Sequence, residues 1–297
     1  MPCYKPLRAW QSPAGGPVAF SPSRTHDKAL QLPCGQCIGC RLEKSRQWAT
    51  RCLHEASMHD NNAFITLTYD DEHLPWDGSL NKKHFQDFMK RLRFKHRKKA
   101  IRYFHCGEYG EALRRPHYHA LLFGHDFDDK TRWTERDGIP TYVSEELQQL
   151  WPFGFTTTGR ITWESAAYCA RYVTKKQTGQ NAKNHYWLPL ATDLEVQLEP
   201  EYATMSLKPA IGKTWFDQYK GDCFPSDFIT QKGKKLRVPR YYDKLLAEHN
   251  EQDLKTIKEN RKRKAQQWHH ECTPKRLKAR EQCAHARLAT LKRNLEG

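Results

Sequence analysis

The sequence predicts an α+β protein built on a central antiparallel β-sheet of about five strands, flanked by helices. Three observations predict it. Short runs with period-two alternation, at Ala63–Tyr69, Ala100–Cys106, Arg115–Gly124 and Gly154–Thr162, read as strands. Asn81–Phe94 carries Phe85, Phe88, Met89 and Leu92 at helical spacing, which marks an amphipathic helix. The strands are separated by such helices or by long loops, the pattern of an antiparallel sheet with helices packed on it.

Residues 1–33 are rich in Pro, Gly and Ser and read as irregular. Cys34-Gly35-Gln36-Cys37-Ile38-Gly39-Cys40 follows, and a helix runs from there to about Met58, with Ile38, Leu42, Ser45, Ala49, Cys52 and Ala56 on one stripe. Asp60-Asn61-Asn62 breaks it. In the first strand Phe64, Thr66 and Thr68 face one way and Ile65, Leu67 and Tyr69 the other. Asp70–Gly78 is a loop, and Gly107-Glu108-Tyr109-Gly110 is a turn into the next strand. Ser144 caps a short helix through Leu150, and a further helix spans about Trp163–Gln177. Residues 180–240 carry no clear period, with Lys208–Lys213 and Val238–Tyr242 as ordered connections. From Asp243 the chain is charged, broken by Pro274, and reads as two solvated helices. The chain thus divides into an N-terminal segment with a cysteine cluster and helix (1–59), a core (60–180), its extension (181–243) and a basic helical tail (244–297).

The 297 residues carry a net charge of +16. Lys and Arg cluster at Lys90–Lys99, Lys232–Lys235 and Arg261–Lys264, interleaved elsewhere with Trp and Tyr. Such clusters favour a polyanionic partner, and the aromatics favour nucleic acid over a membrane surface. No run of about 18 apolar residues exists to span a membrane. The N-terminus lacks the apolar core of a secretory signal, so a cytoplasmic location is expected. Ten cysteines in such a protein are thiols or metal ligands sooner than disulfides.

Arg115–Gly124 carries the sharpest signal. His117 and His119 point to one face of a strand, with Leu121 and Phe123 below them, an arrangement suited to a divalent metal. Without context, two hydrogen-bonded core histidines explain such a pair as well. Mg²⁺ or Mn²⁺ needs an oxygen ligand besides, for which Glu108 is the first candidate and Glu111 the reserve. Tyr168 and Tyr172 lie one turn apart on a helix, with Arg171, Lys175 and Lys176 near them. Core aromatics show the same spacing; a nearby metal and cations instead suit a phenol, of ordinary pKa about 10, to nucleophilic attack on phosphorus.

Phe64–Tyr69, Pro116–His119 and Tyr168–Lys176, in that order, resemble the three motifs of HUH-type rolling-circle replication initiators. The likeness is strongest to those of microviruses, particularly the gokushovirus group, and extends to Pro33–Arg41, Cys106–Gly110 and Pro239–Asp243, over roughly residues 33–243. The resemblance implies an HUH endonuclease-like sheet with the histidines in its middle and the tyrosine helix beside it. It implies a phage enzyme in the infected bacterial cytoplasm that nicks origin DNA, becomes joined to a 5′ phosphate and later reseals a circle. His117, His119 and Glu108 would hold Mg²⁺ or Mn²⁺; Tyr168 and Tyr172 would be the paired nucleophiles. Arg171 stands where the phage motif often has Lys, which leaves phosphate positioning divided among Arg171, Lys175 and Lys176. Single-stranded DNA is expected across the sheet, stacked on exposed aromatics, with host helicase or polymerase as further partners.

Cys34, Cys37 and Cys40 follow a C-x2-C-x2-C pattern. Tetrahedral Zn²⁺ needs a fourth ligand, from Cys3, Cys52 or His54. Structural zinc and plain thiols both stand at this point; an iron–sulfur cluster fits less well, because no fourth cysteine with a following proline appears. A non-catalytic basic nucleic-acid-binding protein organised around that zinc is the alternative to the enzyme.

Overall fold

The computed structural model describes residues 3–110, 113–136, 138–172, 185–189 and 195–290, without the side chains of Arg136, Tyr172, Leu188 and Pro189. Two compact units are present: residues 1–44 with 246–292, and a larger one from Ser45 to Leu245.

The larger unit holds a seven-stranded sheet of β4 (Asn62–Thr68), β5 (Arg102–Tyr109), β6 (Pro116–Phe123), β7 (Thr131–Arg136), β8 (Ile139–Val143), β9 (Thr156–Gly159) and β12 (Tyr202–Met205). Its order is β12-β5-β6-β4-β9-β8-β7, every pair antiparallel. The α+β class and antiparallel sheet are as expected, with seven strands against about five. Beyond the four strands placed in the sequence, β4, β5, β6 and β9, the three added ones are β7 and β8 of a hairpin and the edge strand β12. Their side chains are mostly half-exposed, so none shows the alternation by which a half-buried strand is read.

Helices cover both faces of this sheet. One face joins Ile65, Leu67, Tyr118, Ala120 and Leu122 to α2 (Lys82–Lys95), through Phe85, Phe88, Met89 and Leu92, and to α3 (Glu145–Leu150), through Leu147 and Leu150. Asn81 caps α2, its side chain accepting from the Lys83 N–H, and Ser144 caps α3 by accepting from Leu147 N–H. The other face joins Phe104, Cys106, Leu121 and Phe123 to Ala49 and Cys52 of α1 (Ile38–Ala56) and to Ala166, Tyr168 and Cys169 of α4 (Trp163–Tyr172). Apolar residues on both sides of β6 require this double cover.

Gly154 lets the chain turn tightly after α3. Its φ of 147° is unusual for an L-residue, and a Cβ there would sit 2.3 Å from Asp70 N. The turn brings Phe153 and Phe155 carbonyls to the Asp70 and Thr68 amides, extending the β4 edge toward β9.

Beyond α4, β10 (Trp187–Pro189) pairs β11 (Glu195–Gln197), and β13 (Ile229–Gln231) pairs β14 (Lys234–Leu236). The Lys208–Lys213 connection leads into α5 (Lys213–Tyr219). The expected two tail helices are three: α6 (Arg240–His249), α7 (Glu251–Gln266) and α8 (Pro274–Ala289). Asn250 makes the extra break, since its side chain accepts from the Gln252 and Asp253 amides and caps α7. Within the segment that reads as irregular, residues 7–32 hold strands. They form a small antiparallel sheet, β2-β1-β3, from β1 (Leu7–Gln11), β2 (Val18–Ala19) and β3 (Lys28–Leu32). Ala9 is its one fully buried strand residue, so no hydrophobic alternation betrays it.

His54 is expected to make the larger unit acid-sensitive. Its ring stacks on Trp215 at 3.5 Å between centroids, and its Nδ1 lies 2.9 Å from the Tyr242 hydroxyl. Burial lowers its pKa to about 4. The unfolded chain takes up this proton below pH ~6.5, the folded chain only below about 4. Stability should therefore fall as pH drops from ~6.5 toward 4, by about 3 kcal/mol from this group. Urea midpoints across that range should show a flatter dependence for His54→Gln; an unchanged slope would assign the acid sensitivity elsewhere.

Candidate active site

The central strand β6 places the histidines, and its neighbours supply the rest. Register sets Glu108 of β5 opposite His117 and Cys106 opposite His119. On the other side Thr66 and Thr68 of β4 lie opposite His119 and His117. Glu108 is thus not in a turn, as its Gly-Glu-Tyr-Gly context suggested. β5 continues through it to Tyr109, and the chain turns afterwards, where Gly110 N–H donates to the Arg115 carbonyl at 3.0 Å.

Both imidazoles converge on one carboxylate oxygen. His117 Nε2 lies 3.0 Å and His119 Nε2 2.9 Å from Glu108 Oε1. The Tyr168 hydroxyl donates to the same oxygen at 3.0 Å. The His119 and Tyr168 rings meet edge to face at 4.9 Å, and Phe64 stacks on the far side of His119 at 5.6 Å. His119 and Glu108 side chains are each 2% exposed, whereas His117 is 15% exposed at the rim. Burial alone would raise the Glu108 carboxyl, but hydrogen bonds and positive charge from His117 and His119 outweigh it and bring it down to about 2. Glu108 is therefore a buried carboxylate anion.

These residues fit a divalent cation by their donor chemistry. The Glu108, His117 and His119 ligand atoms all lie within 4.8 Å of one another. His117 Nδ1 is 3.1 Å from the Arg115 carbonyl, which can only accept, so that nitrogen carries the hydrogen. The His117 Nε2 proton that now bridges to Glu108 occupies the place a cation would take, and a cation replacing it would be held by both the imidazole nitrogen and the carboxylate. His119 Nδ1 is held at 2.9 Å by Thr66 Oγ1, an outer contact of the kind that fixes a ligand's ring. Two imidazoles and one carboxylate suit Mn²⁺ and its neighbours in the first row as well as Mg²⁺.

The fold thus gathers Glu108, His117, His119 and Tyr168, with the Arg171 guanidinium 5.5 Å from the centre of the Tyr168 ring. Tyr172 is the last residue of α4, one turn beyond Tyr168, and its side chain lies outside the described residues. Lys175, Lys176 and Glu111 also lie outside them. Sequence reasoning missed Thr66 and the Arg115 carbonyl. Alternation placed Thr66 on its face of β4, but only the pairing with β6 sets it beside His119. The cysteines lie in the smaller unit, where Cys3 joins Cys34, Cys37 and Cys40. Cys52 and His54 are excluded as partners there, because Cys52 is sealed in the apolar core and His54 is engaged with Trp215 and Tyr242.

A buried two-histidine, one-carboxylate cluster on an antiparallel sheet, with a tyrosine helix against it, is consistent with an HUH-like fold. Residues 62–177 match the family model described as replication-associated protein ORF2/G2P, a span that takes in all four converging residues. The chain is 35% identical over 252 residues to replication-associated protein VP4 of Bdellovibrio phage phiMH2K, covering 82% of this chain and 76% of that protein. It is 33% identical over 292 residues to replication-associated protein ORF2 of Spiroplasma virus 4, covering 89% and 87%. Replication-associated protein ORF4 of Chlamydia phage 1 is 29% identical over 249 residues, covering 79% of this chain and 59% of that protein. No solved structure matches the chain. The protein belongs to the family of gokushovirus replication-associated proteins. Among the described residues no helix is long and apolar enough to cross a membrane.

Proposed function

We propose that this replication protein is an HUH endonuclease that nicks one strand at the phage origin and rejoins it through a tyrosyl phosphate, starting rolling-circle replication. The observation that carries the reading is the meeting of His117, His119 and Tyr168 on one oxygen of Glu108. Glu108, His117 and His119 would hold Mg²⁺ or Mn²⁺, which when bound would polarise a non-bridging oxygen of the scissile phosphate.

The chain's own groups do the rest. Tyr168 is 3% exposed, so its phenol must leave Glu108 and turn toward the rim marked by His117 before it reaches DNA. Its oxygen then bonds to phosphorus as its proton passes to solvent. The bond from phosphorus to the 3′ oxygen breaks, that oxygen takes up a proton, and the 5′ phosphate stays on the tyrosine. Attack by a 3′ hydroxyl on the tyrosyl phosphate reverses these steps and reseals a strand. Tyr172, one turn along, would serve the second cut after a round of synthesis. Arg171 would steady the phosphate, with Lys175 and Lys176 sharing that role. The +16 charge favours both single-stranded and duplex origin DNA as partners. The proposed role would place the protein in the cytoplasm of the infected host, alongside its helicase or polymerase.

The test is incubation with labelled single-stranded DNA carrying the cognate origin and Mn²⁺ or Mg²⁺, resolved on a denaturing gel. A protein–DNA adduct is expected from the wild type and not from the Tyr168→Phe/Tyr172→Phe double variant. Intact DNA despite demonstrated origin binding would overturn the enzyme and leave a non-catalytic nucleic-acid-binding protein.

A further inference from the structure

We propose that Cys3, Cys34, Cys37 and Cys40 form a structural Zn²⁺ site that ties the start of the chain to the first turn of α1. All four sulfurs lie within 4.8 Å of one another. Cys3 Sγ is 3.7 Å from Cys34 Sγ and 3.9 Å from Cys37 Sγ. A disulfide would bring a pair to about 2.05 Å. Four thiolates around Zn²⁺, at about 2.3 Å each and tetrahedral angles, stand roughly 3.8 Å apart. The observed spacing is that of an ion-sized gap. It is too tight for a multi-iron cluster, whose ligands must surround several metals and sulfides.

Backbone amides point the same way. Tyr4 N–H approaches Cys37 Sγ at 3.3 Å, Cys34 N–H approaches Cys3 Sγ at 3.3 Å, and Cys37 N–H approaches Cys34 Sγ at 3.2 Å. Amide donors aimed at sulfur stabilise thiolates, the form that binds metal. Cys3 and Cys37 are buried, while Cys34 and Cys40 are partly exposed. No open coordination position is left once four thiolates bind, so the site is structural and not catalytic.

The smaller unit also needs such a staple. The two apolar cores of the protein take no residue from 1–44 or 246–292. Its buried apolar residues besides the cysteines are Ala9, Leu246, Leu254, Ile257 and Leu277, among the described residues. A segment with so little buried apolar surface gains much of its stability from a staple, and a structural metal is one such staple. The ion would close the stretch from Cys3 to Cys34, which contains the whole β2-β1-β3 sheet.

The test uses the full chain, purified without chelator and measured by elemental analysis. About one Zn²⁺ per chain is expected in the His96→Ala/His117→Ala/His119→Ala variant, in which the Glu108/His117/His119 and His96/His125/Glu146 groups are both disabled, and less than about a tenth when Cys37→Ser/Cys40→Ser is added to it. Trypsin should cut within residues 1–44 of the cysteine variant at least about tenfold faster, since its folding there depends on the ion. Should that variant be insoluble, cobalt exchange into the wild type decides. Sulfur-to-cobalt charge-transfer bands with tetrahedral d–d intensity are expected, and the His96/His125/Glu146 and Glu108/His117/His119 groups cannot produce them. Protein purified without chelator that holds no zinc, and whose four cluster thiols react at once with Ellman's reagent beyond the exposed Cys272 and Cys283, would overturn the site. Iron in place of zinc would overturn the assignment of the ion. Neither result depends on whether the protein cleaves DNA.

Discussion

His119→Ala is expected to reduce metal-dependent cleavage of origin DNA by about a thousandfold or more, with origin binding retained. The figure follows from the several kcal/mol a Lewis acid contributes to stabilising charge on a phosphoryl oxygen, at 1.36 kcal/mol per tenfold in rate. His119 is the better probe of the cluster because it is the buried histidine, held between Thr66 and Phe64 with no route for solvent to replace it. His117, at the rim, should cost less, since water can occupy its position. Single-turnover rates at saturating Mn²⁺ for both variants, with thermal midpoints beside them, provide the measurement. A His119→Ala rate within about threefold of wild type, at unchanged stability, would remove the cluster from the chemistry.

Trp151→Ala is expected to destabilise the larger unit by about 3–5 kcal/mol, lowering its thermal midpoint by roughly 8–16 °C. Trp151 is fully buried and packs on Tyr69, Tyr118 and Phe153, with ring centres 5.0–5.6 Å away. Its indole N–H donates to the Thr68 carbonyl at 2.8 Å, so alanine leaves both a cavity and an unsatisfied carbonyl at the end of β4. Thr68 lies opposite His117 in the register, so the damage reaches the cluster's rim. Denaturant and thermal midpoints measure the loss; a change below about 1 kcal/mol would show that this end of the sheet is held by something else.

The sequence was most readable where a local period or a cap decides the outcome. The alternation of Phe64–Tyr69 and the stripe of Phe85, Phe88, Met89 and Leu92 appear in the structure on the faces they predict. His117 and His119 share a face because alternation leaves no other choice. It was least readable at Glu108. Gly107-Glu108-Tyr109-Gly110 has the composition of a turn, yet Gly107 is a strand residue. It lacks a side chain because the Tyr202 ring of β12 occupies the place, where a Cβ would stand 2.8 Å from Tyr202 Cε1. That neighbour is almost a hundred residues away, so nothing local could reveal it.

By itself the sequence determined the α+β class, the residue types able to hold a cation and attack phosphorus, the basic charge suited to DNA, and the likeness to phage replication initiators. Each depends on composition or on spacing within a few residues. Only the tertiary structure decided that Glu108 faces His117, that Thr66 steadies His119, that Cys3 joins the other three cysteines, and that helices pack on both faces of the sheet centre. Those outcomes depend on strand register and on contacts between distant segments. A period of two specifies which face a residue takes, but not which strand will lie beside it.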